Sequence, residues 1–348
     1  MNRIKELLSK SKVDAVLIMN IEPLKDSSFF AFSGIEEGSF IYSSLLLYKD
    51  KPTLLVNELE ELEAKSTGLN YLVIKKLSDI KKKFPKIKTL GINYSLISIS
   101  RNKRLRFKKI DISKIISQIL DQKNEGEYNR FKKACNIVNQ IAKEIPSWVN
   151  KDITERSLAK EIEKRMIDLS GEPSFKTIVA FGENSAVPHH TTSDRKIKKD
   201  EIILIDFGAK YKNICSDMTR CFFFGNPSKE ILEVYNAVKT IQLESINKIK
   251  PGRNGKEIYK YAKESIEKTT PGVMNHSLGH GIGYEVHEAS TLSSIDYKLK
   301  ENVFTTVEPG CYIENQFGVR IEDCIVIRKA RAEVLTTATK ELVIIPFH

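Results

Sequence analysis

Asp206 and Asp217 in LIDFGAKYKNICSDMTR, His280 in HSLGHGIGYEVHE, Glu308 in TTVEPGCY and Glu322 in GVRIEDCIVI are the residues of this chain best suited to chemistry. Each sits in an apolar or small-residue segment that reads as a β-strand. Carboxylates buried together repel one another and lose hydration unless a cation compensates them. A pair of divalent metal ions is the economical compensation.

The spacing supports that reading. Asp206 closes the apolar run Ile202-Ile203-Leu204-Ile205, and Asp217 precedes Cys221-Phe222-Phe223-Phe224, with the short polar stretch Tyr211-Lys212-Asn213 between them. A two-residue turn at Tyr211-Lys212 would set the two aspartates directly opposite each other, with Cβ atoms roughly 4.5–5.5 Å apart. Glu308 ends Val303 to Val307 and Glu322 starts a strand through Ile325-Val326-Ile327. A turn around Glu314-Asn315-Gln316 makes these two glutamates opposite partners. Two hairpins thus offer two carboxylate pairs to one spot, and His280 adds a nitrogen from a glycine-lined segment. Carboxylates bridging two ions about 3.5–4 Å apart are a recurrent arrangement for hydrolysis, and a mixed oxygen and nitrogen set suits Mn, Co, Fe or Zn better than Ca. Any one of these acids alone reads as a surface or salt-bridge residue; it is the five in strand context that read as a centre. GHGIG does not follow a strand and open a helix, as a dinucleotide loop must.

The ordered set, its eleven-residue step between the aspartates, and the motifs SDMTR, HSLGHGIGYEVHE, VEPG and GVRIED together resemble the metallopeptidases of the pita-bread fold: methionine aminopeptidase, aminopeptidase P and prolidase (Xaa-Pro dipeptidase). The likeness runs from roughly Glu125 onward, and its last three motifs are most similar to prolidase and aminopeptidase P. It implies an α/β (α+β) chain, with a C-terminal pita-bread metallopeptidase domain over 123–348. A smaller N-terminal α/β domain over 1–122 would cover the active site and help form a homodimer. It also implies two divalent ions per subunit. Asp217, His280, Glu308 and Glu322 would hold one; Asp206, Asp217 and Glu322 would hold the other. Glu308 would carry the proton to the departing nitrogen, and His189 and His287 would sit beside the substrate carbonyl. Arg320 would hold a ligand carboxylate or a substrate group, His276 would support the centre from behind, and Arg220 would form a structural ion pair. His190 reads as a surface residue or one that narrows the pocket.

The implied reaction is hydrolysis of Xaa-Pro bonds in small peptides with proline at the second position. Dipeptidase action comes first, and aminopeptidase P action on longer peptides is the alternative. Methionine aminopeptidases usually lack the N-terminal domain, and a non-catalytic binding protein is opposed by retention of all five ligands. Many prolidases carry an arginine shortly after the position matching His287-Glu288; the segment Ala289 to Ser294 has none, which weakens the expected grip on a C-terminal carboxylate.

Composition sets bounds around this. A chain of 348 residues with 41% hydrophobic side chains is long for one domain and suits two. No apolar run reaches the ~18–20 residues that span a bilayer, and MNRIKELLSKSKVD lacks a signal-peptide core, so a cytoplasmic enzyme without membrane contact is expected. Five cysteines, an odd number with no C-x-x-C pair, exclude a disulfide framework or thiolate zinc knot. The net charge of +11 invites nucleic acid. However, the lysines read as scattered, with no aromatic-interleaved basic motif, which argues against it.

Val13 to Met19, Phe40 to Tyr48, Thr53 to Val56, Tyr71 to Ile74 and Thr89 to Asn93 read as strands. Ile4 to Ser11, Glu58 to Lys65 and Ile112 to Leu120 read as helices, giving a mixed sheet. Asp121 to Asn124 reads as a polar linker. Phe131, Ala134, Cys135, Val138, Ile141, Ala142 and Ile145 recur at helical spacing. A second helix over Ile153 to Leu169, capped by Asp152, follows. Phe175 to Phe181 reads as a strand, and Lys229 to Ile249 and Gly255 to Lys268 make a further helical pair around Pro251-Gly252.

Overall fold

Runs of Leu, Ile and Val separated by short helical stretches build a mixed sheet in the first third of the chain. The computed structural model describes residues 3–289 and 291–347. In chain order the first unit, Met1–Asp121, contains α1 (Arg3–Ser11), β1 (Ala15–Ile21), β2 (Leu24–Lys25), α2 (Ser28–Ser33), β3 (Tyr42–Tyr48), β4 (Lys51–Val56), α3 (Glu61–Ser66), β5 (Asn70–Val73), α4 (Asp79–Lys83), β6 (Thr89–Ile92), α5 (Ile99–Arg104), β7 (Lys108–Asp111) and α6 (Ser113–Leu120). The sheet runs β5-β4-β3-β1-β6-β7, with β2 on β1. β1 is antiparallel to β3 and parallel to β6, so the sheet is mixed. Its central strand, all apolar over Ala15–Met19 and buried on both faces, is a near-continuous hydrophobic run, as such strands must be.

The second unit, Gln122–His348, opens with α7 (Glu125–Trp148) and α8 (Glu155–Asp168), then β8 (Glu172–Pro173), β9 (Ile178–Phe181), β10 (Glu201–Phe207), β11 (Ala209–Tyr211), β12 (Ile214–Cys215) and β13 (Met218–Phe224). It continues with α9 (Lys229–Lys248), α10 (Gly255–Thr269), β14 (Phe304–Val307), β15 (Gly310–Ile313), β16 (Phe317–Arg320), β17 (Asp323–Ile327), β18 (Ala332–Val334) and β19 (Val343–Ile345). The apolar stripe of α7 is buried throughout, and Asn124 and Glu127 form its capping box. The cap of α8 is Thr154, whose side chain accepts from the Ser157 N–H, and not Asp152. Asp152 instead meets Lys196 at 3.3 Å, because a side chain two residues before the cap cannot reach the free N–H groups of the first turn.

The β10–β13 sheet, in the order β19-β13-β10-β9, is a wall between two cores. Alternation along β10 sends Ile203, Ile205 and Phe207 into the core of α7 and α8, and Ile202 and Leu204 into the core of α9 and α10. Each side chain buried this way contributes roughly 1.5–3 kcal/mol, so both faces hold the sheet. Asp206 falls on the α9/α10 face. No helix among the described residues is long and apolar enough to cross a membrane.

Candidate metal centre

The first hairpin turns one residue later than its sequence suggests. Tyr211 pairs with Ile214, so the turn is Lys212-Asn213, and both residues have positive φ, 46° and 64°. That is the backbone of the turn that matches strand twist, and asparagine tolerates it well. The register sets Asp206 opposite Thr219, not Asp217. Asp217, two residues before Thr219, continues the same face as a diagonal neighbour of Asp206. Gly208 lets the strands close here, since a Cβ on it would lie 2.0 Å from the Ser216 carbonyl.

The second hairpin keeps one register through both of its ladders. Val307 pairs with Asp323 and Gly310 with Arg320. Glu308 and Glu322 therefore face each other in the gap between the ladders, about the loop centred on Asn315 (φ 58°). Of the five residues only Asp206 lies inside a strand; the other four occupy strand ends or the connecting segment of His280.

His280 is tied to β14. Its N–H donates to Thr306 Oγ1 at 3.1 Å and its carbonyl accepts the Thr306 N–H at 2.9 Å. A Cβ on Gly279 would stand 2.1 Å from the Thr306 carbonyl, so only glycine permits the approach. Nδ1 lies 3.1 Å from the Gly281 carbonyl, which assigns the proton to Nδ1 and leaves the Nε2 lone pair free. Nε2 is 3.5 Å from Glu308 Oε1 and 3.9 Å from Asp217 Oδ2. Asp217, His280 and Glu322 each place one ligand atom within 4.8 Å of the others.

Burial, and then the charges of Glu322, Asp206 and Glu308, push the Asp217 carboxyl well above the usual range. Burial and the charges of Glu308 and Asp206 do the same to Glu322. Glu308 is raised too, chiefly by burial, and burial lowers His280. Oδ1 of Asp206 and Oδ1 of Asp217 are buried and meet no hydrogen-bond donor. Four carboxylates face one buried guanidinium, that of Arg320. A centre with this excess of negative charge, two orphaned oxygens and one open imidazole nitrogen fits divalent cations.

Arg320, 2% exposed, donates from its guanidinium to Asp206 Oδ2 at 2.7 Å. It also donates to Thr219 Oγ1 (3.0 Å), the Tyr312 hydroxyl (2.8 Å) and the Pro188 carbonyl (3.3 Å). Thr219 in turn donates to Glu322 Oε2 at 2.7 Å. His276 shares the Tyr312 hydroxyl at 2.9 Å through Nε2, and its Nδ1 lies 3.9 Å from Glu308 Oε2. The His287 ring is 4.3 Å from that of His280, and burial, then the His280 charge, lowers it. His189 is exposed, and its charge bears on both His276 and His287.

His190 is half-buried and anchored rather than an incidental surface residue. Its Nε2 is 2.9 Å from Oε2 of Glu155, a fully buried carboxylate at the start of α8. Oε1 of Glu155 accepts from Phe181 N–H (3.0 Å) and Asn184 Nδ2 (2.7 Å). Oε2 also accepts from the N–H (2.9 Å) and hydroxyl (2.6 Å) of Ser193. One carboxylate thus ties down the whole stretch that carries His189. Arg220 forms its ion pair, with Asp323 at 2.7 Å, both ends buried.

Thr219, Tyr312, Glu155 and Lys123 were not singled out from sequence. Thr219 had a signal, since SDMTR puts it two residues after Asp217 on one face. Lys123, in the expected polar linker, is buried and paired with Glu288 at 2.6 Å, a partner too distant in sequence to anticipate. Ser290, within the arginine-free segment, lies outside the described residues.

Comparison with known proteins adds to this geometry. The profile of metallopeptidase family M24 matches residues 129–329. The Xaa-Pro dipeptidase of Pyrococcus horikoshii is 34% identical over 351 residues, covering 98% of this chain and 97% of that protein. Among solved structures, an X-Pro aminopeptidase from Thermotoga maritima is 34% identical with a TM-score of 0.90, over 97% of this chain and 99% of that one. An Xaa-Pro dipeptidase from Bacillus anthracis is 28% identical with a TM-score of 0.91, over 98% and 99%.

Proposed function

The chain belongs to metallopeptidase family M24, and on that premise we propose that it is an Xaa-Pro dipeptidase of the pita-bread fold working with two divalent ions. The observation that carries the proposal is the convergence of Asp217, His280 and Glu322 to within 4.8 Å, flanked by Asp206 and Glu308, in a chain similar along nearly its full length to Xaa-Pro dipeptidases.

In this reading Asp217, His280, Glu308 and Glu322 hold one ion, and Asp206, Asp217 and Glu322 the other. Mn, Co, Zn and Fe all suit that donor set. When bound, the ions supply the charge that acidifies water and polarises the peptide carbonyl. The chain's own groups do the rest. Glu308 holds a proton on its carboxyl and delivers it to the departing proline nitrogen, which has no hydrogen of its own in the peptide bond. His287, lowered by burial, is neutral near pH 7 and can donate a hydrogen bond from its ring N–H to the carbonyl oxygen as charge grows there. His189, whose charge bears on His287, borders the substrate with it. Arg320 holds Asp206 in place through their 2.7 Å contact. Any contact between Arg320 and substrate would have to come from the one N–H left over.

The substrates are small peptides with proline second. Leu-Pro, Leu-Pro-Pro and Met-Ala-Ser, assayed with added Mn or Co, test the proposal. Cleavage of Leu-Pro is expected, and kcat/KM for Leu-Pro over Leu-Pro-Pro is expected above one. A ratio far below one reassigns the chain as an aminopeptidase P, and no cleavage of either peptide rejects Xaa-Pro chemistry. The five free, buried cysteines support a reducing, cytoplasmic setting. A homodimer formed through the N-terminal domain is part of the same proposal, and light scattering on the purified chain tests it.

A further inference from the structure

Between Lys81 and Lys108 the chain carries ten Lys or Arg and no carboxylate, whereas its whole net charge is +11. What reads as scattered along the sequence is gathered by the fold. Lys81, Lys82 and Lys83 form the last turn of α4, and Lys86 and Lys88 lie in the connection from α4 into β6. Lys103 and Arg104 end α5, Arg106 lies in the connection that follows, and Lys108 opens β7. β6 and β7 are parallel neighbours, with Thr89 in register with Lys108. Adjacent strands stand roughly 4.8 Å apart, so both connections enter the same end of the sheet side by side. The Lys81 Nζ donates to the Arg106 carbonyl at 2.9 Å and joins them directly. All nine side chains are exposed, and none makes an ion pair among the described residues. The tenth cation, Arg101, points elsewhere and donates to the Ile21 and Glu22 carbonyls. Asp14, the acid bonded to β6, spends Oδ2 on the Lys88 and Thr89 N–H groups and the Thr89 hydroxyl.

We propose that this end of the N-terminal unit is a docking surface for the phosphate backbone of duplex nucleic acid, bound without sequence preference. Three observations select that partner. A second copy meeting this same face would set like charges against each other, since an isologous contact pairs a patch with itself. A lipid surface would call for an apolar anchor beside the charge. The exposed apolar side chains of this stretch, Tyr94 just after β6 and Ile99 at the start of α5, follow the opposite end of the strand. A single strand would call for exposed aromatic rings on which bases stack; the two rings at this end, Phe84 and Phe107, are partly buried against the core, and Phe107 is covered by Lys81. Closely set cations without rings or apolar anchors are suited to neutralising a dense row of phosphates, which releases counterions and makes binding steeply salt-dependent.

The test uses the full chain and a fluorescently labelled duplex, followed by anisotropy as salt is raised. If about four phosphates are neutralised, log K should fall against log salt with a slope of about −4. Lys82→Gln, Lys86→Gln, Arg104→Gln and Lys108→Gln combined should weaken binding at least tenfold and flatten that slope. Cleavage of Leu-Pro and the melting curve should stay as they are, because none of the four side chains belongs to the peptidase centre. Absence of duplex binding at low salt overturns the proposal, as does binding that the fourfold variant leaves intact. Retention on phosphatidylserine vesicles without duplex binding also overturns it and assigns the surface to lipid.

Discussion

Glu155→Gln probes how the His189 stretch is held. The wild-type carboxylate is buried and accepts five hydrogen bonds, two on Oε1 and three on Oε2. An amide keeps one acceptor oxygen, which can serve Phe181 and Asn184. Its NH2 then faces Ser193 and His190. The serine hydroxyl can rotate to accept and His190 can change tautomer, but the Ser193 N–H has no such freedom. One orphaned donor costs ~1–3 kcal/mol, and the bonds kept on Oε1 lose the charge that made them worth ~1.5–3 each. The sum, less the relief of no longer burying a charge, is about 3 kcal/mol. The pH dependence gives a second reading. Burial raises the Glu155 carboxyl, but the bonds from Ser193, Asn184, Phe181 and His190 outweigh it and leave it lowered. The unfolded state then binds the proton more readily, so stability rises with pH in that window. The contribution is fully present above the unfolded value of about 4.3 and is lost as pH falls through the lowered folded value. Urea unfolding of wild type and variant across pH 3–7, with hydrogen exchange at Phe181 and Ser193, measures both. The reasoning fails if the variant stays within about 1 kcal/mol of wild type and those amides remain protected.

Glu308→Gln should retain metal by elemental analysis yet lose ~10²–10⁴ in kcat on Leu-Pro; a metallated variant with near-normal turnover would show that another group carries the proton. Arg220→Met strands Asp323 in the interior with Lys340 at the site's edge as its remaining cation, and should cost ~3–5 kcal/mol in urea unfolding. Chelation should lower the melting temperature, and re-added Mn at a hundredfold excess over its Kd should restore about 2.7 kcal/mol; a melting curve indifferent to metal would contradict the fit of Asp206 and Asp217 to a cation.

How far the sequence discloses the centre depends on how local each determinant is. Glu308 and Glu322 were legible as partners because a three-residue loop and two uninterrupted ladders share one register. Asp206 and Asp217 were legible as neighbours but not as diagonal ones, because the turn settled on Lys212-Asn213, where two left-handed residues suit the strand twist better than Tyr211-Lys212. The long helices announced themselves through periodicity. β7 did not, since Lys108-Lys109 on an edge strand looks like a solvated loop. Lys123 and Glu155 were illegible for a different reason: a buried charge is explained only by its partners, and those lie far along the chain.

The wall of strands between the two helix pairs also constrains when the protein can come into being during synthesis. β13, which runs on from Asp217, is flanked on one side by β10 and on the other by β19, whose Val343–Ile345 align with Phe222–Phe224. On the ribosome β10 and β13 emerge together, but their neighbour emerges only after α9, α10 and the whole second hairpin system. Until then Phe222 and Phe224 present an open sheet edge, the kind of surface that recruits other chains. Glu308 and Glu322 thus join Asp206 and Asp217 late, and cover over β13 in the interval would favour folding when synthesis is fast.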